Sequence, residues 1–426
     1  MLIAILFIVL FGMIIVGVPI GIALAGASLI YIMLSGSVPE VVVIHRMING
    51  VDSFPLLAVP FFILAGNLMN SSGITNRIFS FAKAIVGWMR GGLGHVNIGA
   101  SVIFAGMSGA AVADAGGLGA IEIKAMRDAK YDADFAVGVT AASSTIGPII
   151  PPSLPMVIYG VVAGASIGQL FAAGLVPGIL MAVALMIMVA YFAHVRGYPR
   201  DQKFRLDILW HTFKSAFLSL MTPIIIVGGI LFGIFTPTEA AIAACFYALI
   251  LGIVVYRTLS WRRLLRVSMD TIETTAVILF IVAGASIFAW ILTSTRTAEA
   301  FASIILMISE NPIIVLLLIN LILLIVGCFL ETIAAITILV PVLLPIAVHV
   351  GVDPVHFGVI MVLNLMIGLL TPPVGMVLYV LSRVANVPFE RAMMATLPFL
   401  IPLVVVLGMV TFIPAVTMWL PTLIYR

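Results

Sequence analysis

Long charge-free apolar runs recur along the chain, separated by short polar segments or by segments rich in glycine and proline. Such runs predict membrane-spanning helices, not the alternating pattern of a lipid-facing β-barrel. Residues 2–36 carry no charge and are too long for one span, so Gly17 and Pro19 divide them into a short helix and a second at about 19–36. A sparsely charged loop is expected over 37–52, then a third span at 55–72. Arg77, Lys83 and Arg90 on an apolar frame make 75–93 an amphipathic interfacial arm. The Gly/Ala/Ser-rich run from Asn97 to Ile123 carries Asp114, followed by Gly116, Gly117 and Gly119. Those glycines suit a turn, so 95–127 reads as a re-entrant hairpin with a basic exit at Lys124, Arg127 and Lys130. A broken helix over 134–160 and a span over 166–193 complete a first unit, residues 1–193. A polar connector, 194–207, leads to a second unit, 208–426. Its spans fall at about 210–235, 238–256 and 271–293, followed by an interfacial arm over 295–310. A second hairpin, 312–349, contains Glu331, Pro341 and Pro345; a second broken helix, 355–381, and a last span, 394–423, follow.

The two broken helices organise this pattern. Ile146-Gly147-Pro148-Ile149-Ile150-Pro151-Pro152 cannot continue a helix, because each proline deletes a donor and clashes with the preceding turn. Exposed to lipid, the freed amides and carbonyls would cost several kcal/mol apiece, so the break must line a cavity inside the protein. Ile367-Gly368-Leu369-Leu370-Thr371-Pro372-Pro373 repeats it 221 residues later, Gly on Gly and Pro-Pro on Pro-Pro. Ala58-Val59 through Ala65-Gly66 resembles Ala276-Val277 through Ala283-Gly284 at an offset of 218, and Pro19 falls on Pro237. The repeat therefore spans most of the chain. Interrupted membrane helices at matching places in two halves are the best sequence pointer to a transporter's binding site.

Composition agrees: 63% of the 426 residues are hydrophobic and 9% charged, where soluble proteins carry roughly 25%. Cys245 and Cys328 lie in apolar runs and the six histidines lack ligand spacing, which argues against a disulfide framework or a transition-metal site. No basic segment and cleavage site precede the first apolar run, so the first helix is expected to be retained. Charge placement sets the orientation. With the connector cytoplasmic and the second half inverted, all of the 20 Lys and Arg except Arg46, Arg296 and Arg426 lie on the cytoplasmic side. The expected fold is an all-α polytopic membrane protein built as an inverted repeat, with two re-entrant hairpins and two broken transmembrane helices.

Such a site offers freed carbonyls and hydroxyls for a dehydrated Na⁺, and half-helix N-termini for a substrate carboxylate. The first-half donors are Ser108, Ser143, Ser144, Thr145 and Ser153, with carbonyls around Gly147 and Ile150. The second-half donors are Thr332, Thr337, Asn364 and Thr371, with carbonyls around Gly327 and Gly368. A lone hydroxyl in a membrane helix more often bonds its own backbone. Asp114 and Glu331 are the carboxylates well inside the hairpins; buried acids in membranes are costly and usually functional, though a tip acid can simply cap freed amides. Asp128, Asp132 and Asp134 alternate with Arg127 and Lys130 at a membrane edge and read as a solvated rim.

At these residues the chain resembles the large membrane subunit of tripartite ATP-independent periplasmic (TRAP) transporters, the DctM-like family, over essentially its whole length. The likeness rests on Asp52-Ser53-Phe54-Pro55, Gly106-Met107-Ser108-Gly109, Ala113-Asp114-Ala115-Gly116-Gly117, Pro151-Pro152-Ser153, Phe235-Thr236-Pro237-Thr238-Glu239-Ala240 and Thr371-Pro372-Pro373-Val374-Gly375. It implies Na⁺-driven secondary uptake of a small organic acid by elevator movement in the bacterial inner membrane. It also implies a small membrane subunit and a periplasmic substrate-binding protein as partners, with lipid around the chain and no nucleic acid. Two or more Na⁺ are expected, one by each hairpin and break: Ser108, Gly109, Ser144, Gly147 and Ile150 in the first half; Gly327, Ile367, Gly368 and Thr371 in the second. Ser108, Asp114, Ser153, Glu331 and Thr332 are the expected substrate contacts. Gly91 to Ser101 and Glu122 to Ala129 look most like the sialic acid branch, whereas Glu331-Thr332 is shared with many C4-dicarboxylate members. The competing readings are a C4-dicarboxylate or other sugar-acid permease, a self-sufficient Na⁺/dicarboxylate symporter, and an intramembrane enzyme. The last needs paired acids or a nucleophile with its base, and neither is visible.

Overall fold

The computed structural model describes residues 2–36, 38–198, 200 and 203–425, without the side chains of Ser108, Ala298, Ala302, Ile304, Ile305, Leu306 and Ile308. Every regular element among the described residues is a helix. Seven are long and apolar enough to cross a membrane, including Ile167–Val195, Leu206–Leu231, Pro237–Val255, Trp261–Ser294 and Phe389–Phe412.

The order of elements repeats. Ile20–Ser35 answers to Pro237–Ile250, the amphipathic helix Ile74–Val86 to Thr297–Ile308, and the closing helix Ile167–Val195 to Phe389–Phe412. The first hairpin enters through Gly92–Ser108 and returns through Ala111–Gly116 and Leu118–Asp128; the second enters through Pro312–Gly327 and returns through Thr332–His349. The first broken helix is Ala133–Ser144 with Leu154–Ala163, the second Pro354–Gly368 with Met376–Ala385. The peptide bonds Pro151-Pro152 and Pro372-Pro373 are both cis.

Packing crosses between the halves. Leu154–Ala163 lies against the second hairpin's Thr332–His349, and Met376–Ala385 against both returning helices of the first hairpin. Phe389–Phe412 covers Ala133–Ser144, pressing Ala395 and Phe399 onto Gly138, where a Cβ has no room. Ile167–Val195 in turn packs on Pro354–Gly368. Trp261–Ser294 forms the wall outside this core, in contact with Ile20–Ser35, Val41–Val51, Ala58–Ser71 and Thr332–His349.

Three expectations need correction. Residues 41–51 form a helix, not a loop: their apolar positions suit one face, and Arg46 stacks on Trp290 of the wall helix at 5.1 Å. The first hairpin reverses at Gly109, in the left-handed region at φ 60°, whereas Gly117 only kinks the returning arm. The last span is two helices, Phe389–Phe412 and Ala415–Ile424, because Pro414 supplies no backbone donor at that point. Pro199, Asp201 and Gln202 of the connector, and Arg426, lie outside the described residues.

Candidate functional site

Each hairpin tip is tied to the restart of its own half's break by one backbone hydrogen bond. Leu154 N–H donates to the Gly109 carbonyl at 3.4 Å, and Val374 N–H to the Cys328 carbonyl at 3.2 Å. A buried asparagine on each entering arm makes a second tie. Asn97 Nδ2 donates to Thr140 Oγ1 at 2.7 Å, and its Oδ1 accepts from Ser143 Oγ at 2.6 Å. In the second half Asn364 Nδ2 donates to Asn320 Oδ1 at 2.8 Å, while Asn320 Nδ2 donates to Thr411 Oγ1 at 3.0 Å. The freed backbone is therefore held from two directions, which keeps its carbonyls in place.

Residues from Phe135 to Gly160 are all buried, so the first break sits wholly within protein, as its unpaired backbone requires. The second is buried from Val355 to Leu370 and then opens, with Pro372 and Pro373 exposed. Among the described residues no donor reaches the carbonyl oxygens of Gly147, Ile150 or Gly327. Gly327 and Gly368 meet backbone to backbone, and a Cβ on Gly368 would lie 2.6 Å from Gly327 Cα. Thr371 Oγ1 donates to the carbonyls of Ile367 and Gly368 at 2.8 and 3.0 Å, which fixes these oxygens beside that contact. Ser144 Oγ donates back to Ala141 O at 2.8 Å, so its oxygen keeps its acceptor capacity. Neutral carbonyls and hydroxyls without a carboxylate suit a monovalent hard cation better than a divalent one. No group of three His, Cys, Asp or Glu placed to hold a metal occurs among the described residues.

Between the breaks lies a cavity of about 430 Å³. Its lining brings together the first tip (Ala110 to Val112), the first restart (Leu154, Pro155), Glu331 and Thr332 of the second hairpin, and Glu273 and Thr274 of the wall helix. Glu331 caps the returning helix: its Oε2 accepts from the N–H groups of Ile333 and Ala334 at 2.9 and 3.2 Å. One carboxylate oxygen is thus spent on the helix N-terminus that the sequence reserves for a substrate. A wider groove of about 610 Å³ beside Trp210 and Phe213 is apolar and lies outside the hairpins and breaks.

The other expected residues are placed as follows. Ser153 is fully buried and committed locally, accepting from Met156 N–H at 3.2 Å and donating to the Pro148 carbonyl. Asp114 is buried inside the first hairpin, with the Ser101 hydroxyl beside its carboxyl group, and is not part of the cavity lining. The side chain of Ser108 lies outside the described residues. Asp132 pairs with Arg196 at 3.0 Å and Asp134 with Arg391 at 2.5 Å, all exposed, as a solvated rim requires. Sequence reasoning missed Glu273 in the cavity wall, although it stood as an acid inside an expected span. Glu122, which is buried, is missed because it reads as part of a basic exit.

A family model described as "Tripartite ATP-independent periplasmic transporter, DctM component" matches residues 7–416. The sialic acid TRAP transporter large permease protein SiaM of Vibrio cholerae is 52% identical over 97% of this chain and 96% of its own length. The sialic acid TRAP transporter permease protein SiaT of Haemophilus influenzae is 44% identical over 96% of this chain, which spans 66% of that longer protein. The crystal structure of the Alcanivorax borkumensis YdaH transporter, described as having an unusual topology, shares the fold. It aligns with a TM-score of 0.60 over 89% of this chain and 88% of that one, at 13% identity.

Proposed function

Because this chain belongs to the DctM family, the large permease component of tripartite ATP-independent periplasmic transporters, we propose that its paired breaks couple Na⁺ entry to uptake of an organic acid, N-acetylneuraminate (sialic acid) first among candidates. It is a multi-pass transporter subunit of the bacterial inner membrane. Near-complete coverage at 52% identity by a sialic acid permease carries the substrate assignment. The cavity supports it. Among the described residues its acidic lining is Glu273 and Glu331, with no basic side chain to offset it, so a compact dianion would be disfavoured there. A larger monocarboxylate meets less of that repulsion, and its hydroxyls can donate hydrogen bonds to Glu331.

The first Na⁺ would be held by carbonyls of Gly109, Gly147 and Ile150 with Ser144, the second by Gly327, Ile367 and Gly368 with Thr371. Bound Na⁺ supplies compensating positive charge beside the solute's carboxylate. The protein's part is to keep these oxygens fixed through Asn97, Asn320 and the two tip bonds, and to exclude lipid from the freed backbone. The core of hairpins and breaks then slides along the wall helices, with a small membrane subunit completing the scaffold and a periplasmic binding protein delivering the solute.

Reconstituted vesicles test this reading. Under an inward Na⁺ gradient, the permease with its small subunit and loaded binding protein accumulates N-acetylneuraminate, and the permease alone gives little uptake. Saturable uptake by the isolated chain, or preference for succinate over N-acetylneuraminate in a panel of acids, refutes it.

A further inference from the structure

We propose that Glu273 is an exit-side residue, weakening the protein's hold on the anionic solute once the cavity faces the cytoplasm. The proposal rests on the orientation and alternating exposure proposed above. Glu273 lines the same cavity as Glu331 but belongs to the wall helix Trp261–Ser294, and is exposed with no salt bridge among the described residues. Counting from Trp261, at the arginine-rich end of that helix, it stands about 18 Å along the axis. It therefore borders the cavity from the cytoplasmic end.

The internal repeat gives this position its meaning. At the offset that lays Ala58–Gly66 on Ala276–Gly284, Asp52 falls on Asp270 and Glu273 falls on Pro55. In a transporter built from inverted repeats, the outward and inward states are related by exchanging the roles of the halves. A solute facing the periplasm would then lie beside the Pro55 wall, and one facing the cytoplasm beside Glu273. Asp52 and Asp270 match, so the difference in charge between the two walls lies at Glu273 against Pro55. A carboxylate near Glu273 is disfavoured by like charge, whereas the neutral Pro55 wall has no such effect. The site thus binds its anion more weakly on the side where it must be released, while the same acid favours departing Na⁺ ions near the mouth.

Glu273→Gln removes the charge and nearly keeps the shape; Glu273→Asp keeps the charge. Binding of radiolabelled N-acetylneuraminate to the permease in inside-out and in right-side-out vesicles, at fixed sodium, scores the proposal on each side without requiring transport. Exchange from solute-loaded vesicles scores it in the working assembly. A like charge about 10 Å away at an effective dielectric near 20 predicts that Glu273→Gln tightens binding from the cytoplasmic side about tenfold. Glu273→Asp should stay near wild type, and external half-saturation should move by less than about twofold. Unchanged cytoplasmic-side affinity in Glu273→Gln overturns the proposal, as does an equal shift on both sides or the same shift in Glu273→Asp. Should wild-type exchange ignore sodium, the coupling reading fails instead, and the binding comparison still decides the role of Glu273.

Discussion

Gly368→Ala is the most demanding test of the second break. A Cβ there would lie 2.5 Å from the Gly327 carbonyl carbon, 2.6 Å from its Cα and 2.8 Å from its oxygen. Carbon atoms rest about 3.5–4.0 Å apart, so the two backbones must part by about 1 Å. No flexible side chain can yield, because every obstructing atom is main chain. Overpacking of this kind costs typically about 1–3 kcal/mol. Since Gly327 and Gly368 both offer carbonyls to the proposed ion, the loss should appear as weaker Na⁺ binding, roughly 5- to 150-fold at 1.4 kcal/mol per decade. Gly327→Ala makes a graded control: its nearest obstructions stand at 3.2 to 3.4 Å, so the neighbours need give only tenths of an ångström. Its sodium curve should shift by less than about fivefold. The assay is half-saturating sodium from initial uptake rates, beside the sodium-dependent rise in melting temperature of the purified protein. A folded Gly368→Ala protein with a wild-type sodium curve, or Gly327→Ala proving the worse of the pair, would refute the reasoning.

Thr371→Val removes the hydroxyl that holds the Ile367 and Gly368 carbonyls, and should raise half-saturating sodium by about 5- to 150-fold. Raising sodium should partly restore apparent substrate affinity, because the two ligands are linked. Asn97→Leu removes the amide that donates to the Thr140 hydroxyl and leaves Ser143 only its bond to the Thr140 carbonyl, so the melting temperature should fall, with a cost of about 1–3 kcal/mol, whether or not sodium is present. Glu331→Gln keeps an oxygen for the amides of Ile333 and Ala334 but loses the charge, so protein should be made in normal amount while the ranking of acids in competition uptake changes. Cysteine introduced at Glu40 should label only from the periplasm, and tags within 256–266 should be reached only from the cytoplasm; the opposite result overturns the inverted arrangement.

The breaks were legible because proline and glycine act locally: a missing donor ends a helix whatever surrounds it. The flanking helices end and restart around these residues, at Ser144 and Leu154 in the first half and at Gly368 and Met376 in the second. The tip of the first hairpin was misplaced because three glycines at 116–119 outweighed Gly109 in the sequence, while in three dimensions only Gly109 meets the opposing restart, where a Cβ would face the Pro152 carbonyl. The helix at 41–51 does carry an amphipathic pattern, but it is short and interrupted by His45, Arg46, Asn49 and Gly50, and its apolar face is seated mainly on the wall helix. Packing also hid Glu273. Its role depends on which helix faces the cavity, and that is decided by packing across a gap of more than fifty residues in sequence between Glu273 and Glu331. Ser153 stands among the expected substrate contacts, and its side chain also caps the restart helix, accepting from Met156 N–H.

The crossed packing also sets a timetable for assembly at the ribosome. The first break leaves the exit tunnel early, yet its cover over Gly138 comes from Phe389–Phe412, among the last helices to be synthesised. Leu154–Ala163 likewise waits for Thr332–His349, and Met376–Ala385 arrives to find its seat on the first hairpin already made. A nascent chain halted after the connector would hold an interrupted helix with unpaired carbonyls in contact with lipid, at several kcal/mol per group. The N-terminal half must therefore be sheltered by the insertion machinery, and truncated chains should be cleared by membrane proteases. Supplying the C-terminal half as a separate polypeptide should rescue them.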